Sequence, residues 1–130
     1  LIPKAVISFI RTHHGRGKAK YFYNSFKNQY PDKPINDELF TYPGPNPFSK
    51  ETAVLMMADS VEAASRSLKE HTEESISALV NKIIDGQIAD GLLKSAPLTF
   101  KDVETIKSVF VDKLKTMFHT RISYPDLKKQ

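Results

Sequence analysis

The chain of 130 residues contains no cysteine, so it can form neither a disulfide framework nor a thiolate metal site. Any metal ion that it binds must therefore be held by His, Asp or Glu side chains. No apolar run reaches the roughly 18 residues that a membrane-spanning helix needs, and the first residues lack the pattern of a signal peptide. Internal repeats and low-complexity tracts are also absent. These absences exclude a disulfide-stabilised scaffold and favour a globular domain.

The composition is that of one folded domain with a moderate positive charge. Hydrophobic residues make up 40% of the chain, which is ordinary for a domain that buries its own core. The formal net charge of +4 favours anionic partners such as nucleotides, nucleic acid or lipid head groups. Because Leu1 stands where an initiator methionine would be, the chain is expected to be an excerpt of a longer protein.

Apolar residues recur at helical spacing in five segments, and no segment alternates with the period of a strand. The predicted fold is therefore all-α. The third helix is apolar nearly all round from Ala53 to Ala58, so we place it at the centre of the domain. The prolines within residues 41–47 fix φ and lack donors, which makes that segment a stiff loop. Helices are expected over residues 4–12, from Lys18 to about Gln29, and after the caps Ser49, Thr72 and Thr99, with Gly91 ending the fourth.

Two adjacent histidines, His13 and His14, precede Gly15 at the end of the first predicted helix. Neighbouring side chains on a helix point about 100° apart, so two such imidazoles reach one ion only where the backbone leaves the helix. Gly15 provides that freedom because glycine adopts positive φ without strain. The dipeptide alone leaves two interpretations open, a metal-ligand pair or a solvated structural pair.

Asp59 directly follows the apolar run of the third helix. A carboxylate buried in such a helix costs several kcal/mol unless it is paired or bound to a cation. Asp59 is therefore either a metal ligand that projects from the core helix or part of a salt bridge, with Arg66 or with a residue of a neighbouring helix. Two imidazoles and one carboxylate are the donors of a metal site, but they are too few to close a dinuclear hydrolase site.

Basic residues flank the histidines, namely Arg11, Arg16, Lys18 and Lys20. The segment Gly15–Lys18 lacks the spacing of a P-loop and no strand precedes it, so a P-loop is excluded. The basic cluster either attracts a phosphate group or forms a solvated face. Tyr42 either stacks on a nucleobase or packs down its own loop.

Five segments, taken together, resemble one family over nearly the whole chain. They are Phe-Ile-Arg-Thr-His-His-Gly (residues 9–15), Lys-Tyr-Phe-Tyr (20–23), Tyr-Pro-Gly-Pro (42–45), Met-Ala-Asp-Ser-Val-Glu-Ala-Ala-Ser-Arg-Ser-Leu (57–68) and Phe-His-Thr-Arg-Ile-Ser-Tyr-Pro (118–125). They resemble the cytoplasmic HD domain of the bacterial, membrane-anchored, seven-transmembrane cyclic di-AMP phosphodiesterases. The resemblance implies that residues 1–130 are the C-terminal portion of a single, all-α, HD-type metal-dependent phosphohydrolase domain.

The resemblance also implies a reaction and a set of ligands. Two divalent metal ions, iron or manganese, would activate a water that hydrolyses cyclic di-AMP to the linear dinucleotide. His13 and His14 match a ligand pair for one metal, and Asp59 matches the carboxylate ligand of the other. No catalytic residue is expected here beyond these metal ligands. Candidates for substrate contacts or for support of the ligands are Arg16, Lys18, Tyr42, Ser60 and Arg66.

The chain departs from the family pattern in one way that matters for activity. No histidine in it is followed by aspartate, so the His-Asp dipeptide that gives the family its name is absent and the metal site is incomplete. The chain alone is expected to bind metal poorly and to be inactive. It is expected to be a domain without a membrane-inserted segment. The apolar face of its core helix, when uncovered, would favour self-association.

Two other functions are compatible with the sequence. The alternative is a non-catalytic helical module that binds a nucleotide or a protein. Nucleic-acid binding through the basic residues would give an affinity that falls steeply with salt and does not depend on metal. The charge is small and dispersed, which disfavours nucleic acid. The expected partner is the cyclic dinucleotide that the resemblance implies.

Overall fold

In the computed structural model, which describes residues 3–123, the chain is helical. Within that range a single antiparallel bridge, between Lys18 and Thr41, is the only β-type pairing, and no strand forms. The all-α prediction is confirmed. Residues 124 and 125 of the last family-like segment lie outside the described residues. The helices are α1 Lys4–Thr12, α2 Lys20–Gln29, a 3-10 helix Asp37–Phe40, α3 Lys50–Ser65, α4 Glu73–Ala89 and α5 Phe100–Ser123.

The predicted caps of α3 and α4 form as local hydrogen bonds. Ser49 Oγ accepts the N–H of Thr52 at 3.2 Å, and Thr72 Oγ1 accepts the N–H of Ser75 at 3.1 Å. Ser75 Oγ in turn accepts the N–H of Thr72 at 3.0 Å. Each bond satisfies a backbone donor that the first helical turn leaves without an intrahelical acceptor. The sequence prediction of both helix starts is confirmed.

Gly91 ends α4 by the predicted mechanism. Its φ is +76°, its N–H donates to the carbonyl of Ile88 at 3.0 Å, and the N–H of Leu92 donates to the carbonyl of Gln87 at 3.0 Å. These two bonds define a Schellman motif, which requires the left-handed conformation that glycine adopts most readily. The chain is thus turned out of α4 within two residues.

The cap of α5 is a reciprocal capping box, and it gives a first testable prediction. Thr99 Oγ1 accepts the N–H of Asp102 at 3.0 Å, while the Asp102 carboxylate accepts the N–H of Thr99 at 2.9 Å. Thr99→Ala is expected to lower the free energy of unfolding by about 1 kcal/mol, because it removes one capping acceptor. Urea denaturation followed by circular dichroism measures the change. Thr116→Ala is the control, since Thr116 is exposed within α5 and its Oγ1 donates to the carbonyl of Asp112 in the preceding turn. An equal loss in both variants would contradict a specific role of the cap.

Two compact units divide the chain, and each has buried apolar residues of its own. The first comprises Leu1–Met56 and Gln87–Pro97, and the second comprises Met57–Gly86 and Leu98–Gln130. Buried apolar residues of the first unit are Ala53, Met56, Leu92, Leu93 and Ala96. Those of the second are Met57, Val61, Ile76, Val80, Ile84, Val103, Leu114 and Phe118.

The second unit also contains a buried aromatic contact around the segment between α3 and α4. The ring of His71 stacks on Phe118 with centroids 3.7 Å apart, and its Nε2 lies 3.3 Å from the carbonyl oxygen of Ser65. These contacts hold the connecting segment against α5. A packing role for His71 agrees with its exclusion from the candidate ligands.

Helix α3 contributes buried apolar side chains to each of the two units, with one exception on its surface. Ala53, Met56 and Met57 are at most 2% exposed, and Val61 is 2% exposed. Leu55, however, is 45% exposed, so the helix is not buried all round. Burial of α3 therefore follows one side of the helix, and the apolar run alone does not show which positions face solvent.

The start of α2 and the surface of α1 differ from what periodicity suggests. Helix α2 begins two residues after the predicted Lys18, because Ala19 donates to the carbonyl of Phe40 at 2.6 Å beside the Lys18–Thr41 bridge. In α1 the side chains of Val6, Ile7 and Ile10 are 46%, 42% and 59% exposed.

Among residues 3–123 no helix has both the length and the apolar character needed to cross a bilayer.

Candidate functional site

The two candidate histidines lie side by side in the turn that follows α1. The centroids of the His13 and His14 rings are 4.1 Å apart, with 44° between their planes. The turn is closed by Gly15, which has φ +52° and donates its N–H to the carbonyl of Thr12 at 2.8 Å. Gly17 then donates to the carbonyl of His14 at 2.9 Å. The backbone thus leaves the helix at this point, as the sequence predicts, and brings both imidazoles to one place.

Hydrogen bonds to the backbone fix the tautomer of His13. Its Nδ1 lies 3.1 Å from the carbonyl oxygen of Phe9 and 3.0 Å from that of Ile10. Since carbonyl oxygens only accept, Nδ1 must carry the hydrogen, and the lone pair of the neutral ring resides on Nε2. Metal-binding histidines typically donate their second ring nitrogen in this way, which fixes ring orientation and raises ligand basicity. This arrangement leaves the lone pair of His13 on Nε2.

The ring of Tyr42 covers His14. The two rings are stacked, with centroids 4.3 Å apart and 12° between planes, and the N–H of Tyr42 donates to the carbonyl of Gly17 at 2.9 Å. Tyr42 therefore packs its loop against the histidine turn, one of the two interpretations that the sequence left open. A cavity of about 190 Å³ lies here, lined by both histidines, Arg11, Tyr42, Pro43 and Gly44 among others.

Asn46 belongs to this site, and the sequence analysis missed it. Its Oδ1 accepts the N–H of Arg16 at 2.7 Å, and it lies so close to Gly15 that a Cβ on that glycine would come within 2.5 Å of Oδ1. The contact joins residues thirty positions apart. The available signal was an asparagine between two prolines. Both residue types favour turns, but this pattern does not show which distant residue the asparagine side chain contacts.

The basic residues near the histidines are engaged to different degrees. The stem of Arg16 packs so closely on Gly44, which has φ +79°, that a Cβ at Gly44 would come within 2.8 Å of Arg16 Cγ. Lys18 Nζ lies 3.8 Å from Asp37 Oδ1 and 4.2 Å from the centroid of the Tyr23 ring. Part of the charge of Lys18 is thus matched within the unit, while Arg16 is exposed beside the histidines.

Asp59 and Ser60 lie on α3 and Arg66 directly follows its last residue, all three in the second unit. The expected burial of Asp59 is wrong, because the structure places Asp59 on the exposed side of the helix, where a carboxylate stays hydrated at little cost. Arg66, one of the salt-bridge partners that the sequence offered for Asp59, is paired with Glu62. Arg66 donates through Nε to Oε2 of Glu62 at 2.7 Å and through Nη2 to its Oε1. This hydrogen bonding and the charge of Glu62 raise the pKa of Arg66, with a smaller contribution from the charge of Asp59.

The donor chemistry of these residues fits iron or manganese, which accept imidazole and carboxylate ligands. Among residues 3–123, no three His, Asp or Glu side chains converge on a common point that could hold a metal ion. The structure brings together His13, His14, Arg16 and Tyr42 in the first unit. Asp59 belongs to the second unit.

Comparison with known proteins identifies relatives over almost the whole chain, although no family model matches. The chain is 41% identical over 128 residues to the cyclic-di-AMP phosphodiesterase PgpH of Bacillus subtilis, covering 98% of this chain and 18% of that protein. It is 35% identical over 127 residues to the PgpH of Listeria monocytogenes, covering 98% and 17%.

A solved structure matches the fold as well. The crystal structure of the L. monocytogenes PgpH HD domain in complex with cyclic-di-AMP has a TM-score of 0.82 and 32% identity to this chain. The match covers 89% of this chain and 53% of that one. The chain thus spans less than a fifth of the length of the curated relatives.

Proposed function

We propose that this chain is the C-terminal portion of an HD-type phosphodiesterase domain. The premise is that the chain is homologous to the HD domain of the cyclic-di-AMP phosphodiesterase PgpH. In this proposal the chain supplies part of a dinuclear metal site, and the parent enzyme hydrolyses cyclic di-AMP to the linear dinucleotide. The observation that carries the proposal is the pair of backbone acceptors at His13 Nδ1, because they leave Nε2 as the ligating nitrogen.

Three residues would hold metal in this proposal. His13 and His14 would bind one ion from adjacent imidazoles, and Asp59 would bind the other from the exposed side of α3. Iron or manganese, when bound, supplies Lewis acidity and lowers the pKa of water. An exposed carboxylate fits this role, since it is accessible to a metal ion whose other ligands come from other residues.

The chain's other residues would bind and orient the substrate. Arg11 and Arg16 place positive charge beside the histidines, which favours the approach of a phosphodiester. Tyr42 fixes the ring of His14 by stacking and keeps 38% of its surface exposed for contact with a ligand. Lys18, Ser60 and Arg66 remain candidates for support, with Lys18 and Arg66 already paired to Asp37 and Glu62.

The same premise extends to the wider protein. We propose that the parent is anchored in a membrane and carries this domain on the cytoplasmic side. The chain alone would be inactive, since it lacks the His-Asp dipeptide. Self-association through the core helix is also a proposal, and the 45% exposure of Leu55 beside buried Met56 supports it.

The test is hydrolysis of cyclic di-AMP by the full-length parent protein, stripped of metal and then given Mn²⁺ or Fe²⁺. We expect turnover to the linear dinucleotide only with metal. We expect His13→Ala to lower kcat on the order of 10³-fold, since a metal's Lewis acidity is worth several kcal/mol. His119→Ala is the matched control, because His119 is an exposed histidine of α5.

The opposite results are equally informative. A folded, metal-loaded protein that does not hydrolyse cyclic di-AMP contradicts the proposal. If that protein still binds the dinucleotide, the non-catalytic binding module becomes the better account. Equal activity of His13→Ala and wild type would remove His13 from the ligand set.

A further inference from the structure

We infer that Asn46 is a positioning residue that holds the His13–His14 turn in its ligating geometry. This inference rests on the proposed function, because it assumes that the two imidazoles bind a metal ion. Asn46 does not reach the ion in this arrangement. It acts through the backbone of Arg16 and through contact with Gly15, the two residues that follow the histidines.

The contacts of Asn46 constrain the turn at the point where it is freest to move. Gly15, at φ +52°, has a conformation that few residues share and that glycine leaves readily. The 2.7 Å bond from the Arg16 N–H to Asn46 Oδ1 fixes the next peptide unit, and Asn46 lies directly against Gly15. A glycine with many accessible conformations is thereby confined to one. The imidazole of His14, one residue earlier, takes its position from that confined backbone.

The loop that presents Asn46 is itself rigid. Pro45 and Pro47 flank it, and proline restricts both its own φ and the backbone of the residue before it. Pro47 is completely buried, which anchors the loop in the first unit. A stiff support delivers the amide oxygen with little loss of conformational entropy, so the bond to Arg16 is pre-organised.

The same loop holds the histidine turn at a second point. Tyr42 stacks on His14 and donates its N–H to Gly17, so the turn is bound before and after Gly15–Arg16. Loss of the Asn46 oxygen should therefore loosen the turn without releasing it. Partners that orient a metal ligand in this way typically contribute about 10–100-fold to metal affinity.

The experiment measures Mn²⁺ binding to the full-length protein, using the electron paramagnetic resonance signal of the free ion. We expect Asn46→Ala to raise the Kd for Mn²⁺ about 10–100-fold. Asn46→Asp retains an oxygen acceptor at the same position and adds a charge that attracts cations, so its Kd should return to the wild-type value or fall below it. Urea midpoints of all variants separate this effect from general destabilisation.

Asn36→Ala is the matched control. Asn36 Oδ1 accepts the N–H of Glu38 at 3.1 Å, a bond of the same kind in another loop of the same unit. Asn36→Ala should leave Mn²⁺ binding unchanged. An effect as large as that of Asn46→Ala would show that any loosened loop weakens the site, which overturns a specific role for Asn46.

His13→Ala separates failure of this inference from failure of the proposed function. If His13→Ala weakens Mn²⁺ binding and Asn46→Ala does not, the ligand assignment stands and the positioning role is wrong. If neither variant changes Mn²⁺ binding, the metal function of the turn is wrong as well. If Asn46→Asp binds as weakly as Asn46→Ala, the Oδ1 acceptor is not the group that positions the turn.

Discussion

Asp59→Asn is expected to reduce the proposed hydrolysis of cyclic di-AMP by the parent protein on the order of 10³-fold. The proposal makes Asp59 a metal ligand, and loss of such a ligand removes several kcal/mol of charge stabilisation. The free energy of unfolding should stay within about 0.5 kcal/mol of wild type, since Asp59 is exposed. Asparagine keeps the shape of the side chain and removes its charge. Exposure thus lets the ligand role be tested apart from folding.

The measurement is steady-state turnover with saturating Mn²⁺, with the urea midpoint taken on the same preparation. Glu51→Gln is the matched control, because Glu51 is another exposed carboxylate of α3 and lies in its first turn. It should keep wild-type turnover. An Asp59→Asn variant with wild-type turnover would show that Asp59 is not a metal ligand, whereas a large loss of stability would point to a structural carboxylate.

Ile84→Ala is expected to lower the free energy of unfolding by about 2–5 kcal/mol, because its side chain is completely buried and its truncation leaves a cavity. Ile88→Ala, one turn later in α4, is the control. Ile88 is 43% exposed, so the same truncation removes less buried apolar surface, and water can fill the space that the side chain leaves. The loss should be less than half as large.

Urea denaturation, monitored by circular dichroism, measures both variants. An unchanged slope of the free energy with urea would show that the two variants differ in stability and not in the compactness of the unfolded chain. Equal losses at Ile84 and Ile88 would contradict the difference in burial between these two positions of α4. A loss at Ile84 below about 1 kcal/mol would indicate that neighbouring side chains collapse into the cavity.

Local signals in the sequence predicted the helices well. Ser49, Thr72 and Thr99 cap their helices as expected, and Gly91 ends α4, because each of these interactions joins residues at most five positions apart. Composition and periodicity contain such short-range chemistry directly. The start of α2 was displaced for the opposite reason, since Ala19 bonds Phe40 far along the chain.

The candidate site was predictable only in part. Gly15 predicted the turn that brings the two histidines together, and the flanking segments predicted the family to which the PgpH relatives belong. The exposure of Asp59 was not foreseen. An apolar run indicates that a helix is buried, but it does not show which side of the helix faces the core. Asn46 was missed because nothing near it in sequence identifies Arg16 as its partner. Such a contact depends on how distant segments fold together.

Asn46 is the thirtieth residue added after Arg16, and this separation has a consequence for synthesis of the protein. At roughly 5–20 residues per second, a ribosome needs about 2–6 seconds to add those residues after Arg16. Helix α1 can form in far less time, since helices form in about a microsecond. The two histidines are therefore synthesised seconds before the loop that braces their turn. In the nascent chain, the turn acquires its bond to Asn46 seconds after its own residues have been added.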